Sequence, residues 1–227
     1  MSANKWSVNG QFDPAGSQPR SASTSGFRRV KIAASELATI ESMRHNPGTV
    51  VVLAGSAPAQ VLAAVDRSMN VTLIRPGEPE NGDNLAAAAD ALQRAARVAS
   101  PYALVSADPL AGMAAAWQAM WDVSQQPGPE EFEREALTAV TAWRAGRFEL
   151  PDYYLTLTAD PAAGHADFYL GPLRSIRPHR VAFVAAAEPA QQAAGVLHAL
   201  GSLRHGPWWP PLADVIETAR GFYPATL

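Results

Sequence analysis

Arg174, Arg177, His179 and Arg180 fall within one short stretch bracketed by Pro172 and Pro178. Guanidinium groups recognise carboxylate and phosphate through paired hydrogen bonds, and proline stiffens the backbone that presents them. The turn is therefore a candidate anion site, for a phosphorylated or carboxylated metabolite or an acidic partner surface. The competing reading is a solvated turn whose arginines pair with Asp152, Asp160 or Asp167. In an extended segment Arg174 and Arg177 would face opposite ways, so the three arginines need not converge.

A second group of candidates comes from apolar runs that end in small or polar residues. Ser56 follows Val50–Gly55, Arg75 follows Val71–Ile74, and Ser106 and Asp108 follow Tyr102–Val105. If these runs are parallel strands, the residues lie at carboxyl ends, where open α/β sheets bind ligands. Ser56 and Asp108 serve equally well as plain helix caps. The Gly55-Ser56-Ala57-Pro58 turn matches neither dinucleotide nor P-loop spacing, and Pro58 removes one N–H donor.

Other chemistry finds less support. There is no cysteine, which excludes disulfides, thiolate nucleophiles and cysteine-based metal sites. His165 with Asp167, and His198 with His205, lack the spacing of a three- or four-ligand metal centre, so no metal or cofactor is expected. No G-x-S-x-G elbow occurs. Six tryptophans are present. Trp117 and Trp121 keep helical spacing, whereas Trp208 and Trp209 sit on a proline-rich corner where both cannot easily turn inward. One of that pair is a candidate partner anchor.

Composition bounds these options. A 227-residue chain with 48% hydrophobic and 17% charged residues is long enough for a full core. Its net charge of -3 leaves nucleic-acid binding to a local patch, so nucleic acid is not the expected partner. The first residues lack a signal-peptide pattern and no apolar run is long enough to cross a bilayer. A cytoplasmic, bacterial protein is the default expectation, and the high alanine content carries no functional weight.

The elements that must position these residues follow from periodicity. Residues 1–26 read as a flexible N-terminal tail in which only Trp6 and Phe12 could dock. Residues 27–227 read as a single α/β domain. Phe27–Ala33 suits an edge strand, with a helix from Ser35 to Arg44. Val50–Ala54, Val71–Ile74 and Tyr102–Val105 read as strands linked by helices, which makes a parallel three-stranded βαβ core. Helices are expected at Asn84–Ala99, after Asp108, at Pro129–Gly146, at Pro189–His205 and from Leu212. The β-forming stretch from Tyr153 to Ala187 predicts a C-terminal β-meander of three strands extending that core, with helices on both faces.

The expected function is a non-catalytic binding or accessory protein, acting through a protein partner or self-association at Trp208 or Trp209. The alternatives are an enzyme or sensor for a small anionic metabolite and a weak nucleic-acid binder. No motif is specific enough to name a family.

Overall fold

The computed structural model describes residues 48–55, 57–121, 129–157, 166–185 and 188–223. The expected edge strand at 27–33, the helix at 35–44, the tail aromatics, Ser56 and His165 lie outside the described residues.

Val50, Val51, Val52 and Leu53 are β-branched or bulky residues in an unbroken run, as suits a strand covered on both faces. They form β1 (Thr49–Ala54). Gly55 ends it at φ +87°, a conformation open to glycine because it has no Cβ to clash. The chain continues through α1 (Ala59–Val65), β2 (Val71–Ile74), α2 (Asn84–Ala95), β3 (Tyr102–Val105), α3 (Ala111–Ala119) and α4 (Pro129–Arg144). The N-cap of α1 is Pro58, with no side-chain cap. β4 (Tyr153–Leu157) and β5 (Val181–Val184) follow, then α6 (Pro189–Gly201) and α7 (Leu212–Arg220).

All five strands are parallel, in the order β2-β3-β1-β4-β5. This corrects the meander. Parallel neighbours need a crossover rather than a hairpin, and the segment expected as the middle strand is helical. Residues 166–176 form one helical stretch, α5, in which Ala166–Phe168 leads through a wide π-type turn at Tyr169–Leu173 to Arg174–Ile176. Phe168, Tyr169, Pro172 and Leu173 recur at helical spacing and all are buried. Burial of that face outweighs the β propensity of Phe-Tyr-Leu. Pro172 carries no N–H to donate, and a wide turn accommodates it.

The alternation of β1 sorts the core into two layers. Val52 and Ala54 face α2, α3, α4, α5 and α7. Val51 and Leu53 face α1 and α6. α6 lies close to β5, because a Cβ on Gly195 would come within 2.5 Å of a Val184 methyl. From β1 the chain departs to the α1 face, whereas from its neighbours β3 and β4 it departs to the opposite face. That divergence is the topological switch point at which open α/β sheets bind ligands.

Candidate functional site

A cleft of about 690 Å³ opens at the carboxyl ends of β1, β2 and β3. Gly55 lies at the end of β1, and Pro76, Gly77 and Pro79 follow β2. Ser106 and Asp108 follow β3. The starts of α2 and α3, Glu135 from α4 and Tyr169 from α5 complete the wall. A smaller cavity of about 210 Å³, lined by Val50, Leu92, Phe148 and Leu150 among others, opens at the amino end of the sheet. The larger cleft holds the unusual titratable chemistry.

Asp108 is the centre of that chemistry. One carboxylate oxygen accepts the N–H of Leu110 at 2.9 Å; Leu110 is itself the N-cap residue of α3, which has no side-chain cap. The other accepts a hydrogen bond from the Tyr169 hydroxyl. The Tyr154 hydroxyl from β4 is close enough to influence the carboxyl, yet it is buried without a well-formed hydrogen bond. Its ring lies 5.3 Å from that of Tyr169 and 5.7 Å from that of Trp209. Part of Asp108's surface faces the cleft, but its carboxyl is packed deeply in protein. Desolvation pushes its pKa up to about 6, against the lowering effect of the Tyr169, Leu110 and Tyr154 contacts. Both tyrosines are held neutral far above the usual phenol range, by burial first and by the neighbouring Asp108 charge second.

Glu135 completes the acidic wall. Its carboxylate sits over the backbone of α3, since a Cβ on Gly112 would lie 2.6 Å from Oε2. Glycine at 112 is what lets α4 bring this charge to the mouth of the cleft.

The basic turn is at the other end of the molecule, ahead of the amino end of β5. Arg180 is buried. It donates to the carbonyls of Pro207, Asp152 and Gly206 at 2.6, 2.9 and 2.9 Å. Its guanidinium lies 4.4 Å from the Trp208 ring centre and 5.5 Å from that of Tyr153. Arg177 donates to the carbonyls of Trp208 and Ile176. Arg174 stacks 5.5 Å from the Phe183 ring centre, and His179 packs against Gly206. Arg177 and Arg180 thus gather at the Trp208–Trp209 corner, while Arg174 lies apart over Phe183. Arg75 forms an exposed pair with Asp66 at 3.7 Å, off the wall of the cleft.

Trp209 is buried, with its indole N–H donated to the Pro151 carbonyl at 2.8 Å. Trp208 is 42% exposed. Among the described residues no group of three or more His, Asp or Glu could hold a metal ion, and no helix is long and apolar enough to cross a membrane.

No family model matches this chain, and neither the curated proteins nor the solved structures give a match.

Of the residues singled out in the sequence, the cleft unites Gly55, Ser106 and Asp108. Tyr154, Tyr169 and Glu135 escaped sequence reasoning. Tyr169 is 61 residues from Asp108, inside a segment read as a strand, and no local pattern ties the two together.

Proposed function

We propose that the chain binds a small polar molecule in the cleft at the carboxyl ends of β1, β2 and β3, with Asp108 as the group that recognises it or exchanges a proton with it. The observation that carries this reading is the desolvated Asp108 carboxyl on the cleft wall. A carboxyl held near pH 6 is costly to ionise and suited to acid–base work at neutral pH. The switch-point position is where a ligand is expected from topology alone. Amide chemical shifts followed through a titration with a small-molecule panel test the reading. Ligand-dependent shifts clustered at Gly55, Gly77, Ser106 and Gly112 support it. A panel of amines, polyols, nucleotides and carboxylates that leaves those amides unmoved would sink it.

A second reading, partner binding or self-association, is favoured by one observation. Trp208 is partly exposed while Arg180 fixes its ring, so it is a preorganised aromatic of the kind that anchors interfaces. Light scattering on the wild type and on Trp208→Ala separates the readings. A concentration-dependent oligomer abolished by the substitution supports a partner role. A monomer that captures no second copy at any concentration removes self-association.

A further inference from the structure

The charges lining the cleft are of one sign. Asp83, Asp108 and Glu135 contribute to its wall, and among the described residues no lysine, arginine or histidine does. Helix N-termini at this end of a sheet ordinarily offer free N–H groups to phosphate. Here the start of α2 is capped from within the chain, while α3 has no side-chain cap. Asp83 accepts the N–H of Ala86 at 2.9 Å in the first turn of α2, and Asp108 accepts that of Leu110 ahead of α3. Pro76, Pro79 and Pro109 in the lining loops have no N–H to offer. An anion would meet the Asp83, Asp108 and Glu135 carboxylates on this wall. Glu135 has a neighbour in Arg134, but at 3.6 Å and on a largely exposed side chain, so its charge is little neutralised toward the cleft.

The rest of the lining narrows the kind of ligand further. A bare metal ion fits poorly, since the described residues hold no cluster of three ligands. The wall also carries apolar surface from Leu53, Leu85 and Met113.

We infer that the cleft takes an organic cation, a primary ammonium or guanidinium on a short apolar stem, with its charged head against Asp108 and Glu135. This rests on the reading of the cleft as the ligand site. The stem would lie along Leu85 and Met113, while the head donates to carboxylate oxygens, the strong charge-assisted geometry. Choice among ligands is then set by repulsion of anions as much as by attraction of cations.

The test is a set of amide-shift titrations with butylamine and agmatine, alongside 1-butanol, butyrate and inorganic phosphate. Agmatine or butylamine should shift the cleft amides where butyrate and phosphate do not. Glu135→Gln and Asp108→Asn should each weaken the amine about tenfold, as expected when one charge-assisted bond is lost. Glu135→Gln lies at the cleft mouth, so it stays informative if Asp108→Asn disturbs folding. Cleft binding of butanol, butyrate or phosphate as tight as that of the amines would overturn the inference while leaving the cleft as a ligand site. Amine affinity unchanged in both variants would overturn it too. Absence of cleft binding by every probe would overturn it and count against the cleft reading itself.

Discussion

Asp108→Asn should make the protein more stable at neutral pH. Asparagine is nearly the same shape as aspartate. Its carbonyl can still accept the N–H of Leu110, and its amide can donate to the Tyr169 hydroxyl oxygen. What changes is the charge. The Asp108 pKa is raised from 3.8 to about 6 in the folded chain, so the folded state binds the proton more tightly than the unfolded one. Stability from this group is therefore fully present below about pH 4, falls as pH rises toward 6, and levels off above that. At about 1.4 kcal/mol per pH unit, the loss reaches up to about 3 kcal/mol. The groups facing the carboxyl, Tyr169 from α5 and Tyr154 from β4, stay neutral throughout this window. Urea unfolding of wild type and variant from pH 4 to pH 8 measures the difference. The asparagine variant should gain on the wild type through pH 4–6, ending up to about 3 kcal/mol ahead at pH 8. A difference that is flat with pH, or a wild type that gains as pH rises, would refute the account of a desolvated carboxyl.

Three further outcomes are expected. Tyr169→Phe removes a hydrogen bond that favours the ionised carboxyl, so the Asp108 pKa should rise above its wild-type value, read from the carboxyl carbon shift in a pH titration. Arg180→Lys cannot reach three carbonyls in one plane, and should cost about 2–3 kcal/mol in denaturant unfolding through lost charge-assisted bonds. Gly195→Ala should destabilise by about 1–3 kcal/mol, because the added methyl collides with Val184 and overpacking outweighs the gain of about 1 kcal/mol in helix propensity.

The sheet core was legible where local chemistry and global packing agree. Val71–Ile74 and Tyr102–Val105 fall where the sequence reading put them, and β1 begins one residue earlier, at Thr49. These runs are apolar, short and bounded by turns, so no other element suits them. The stretch around Phe168–Leu173 misled because its residues favour strands while their spacing favours a helix. The buried face decided in favour of the spacing. The basic turn stood out by its clustered arginines and bracketing prolines. Its guanidinium partners are backbone carbonyls near residues 152 and 206–208, and carbonyls leave no mark in a sequence. Asp108 was placed at a strand end by pattern, but its character depends on Tyr154 and Tyr169, which only the tertiary fold brings to it. Strand order was likewise beyond local reading, since it depends on which face each crossover takes.

The position of β1 also governs how the chain can fold as it is made. Its partners are β3 and β4, and the Val50 N–H donates to Asp152 at a separation of 102 residues. While the ribosome has delivered only the first half of the chain, β1 can pair on one side through β3, but its other edge stays open. An open, hydrophobic valine-rich edge invites pairing with other nascent chains. Pairings this distant in sequence also slow folding, because a long loop must close before the contact is gained. The chain therefore makes this apolar strand about a hundred residues before the strand that covers its second edge. Expression should accordingly respond more strongly to chaperone supply than the stability of the finished sheet would suggest.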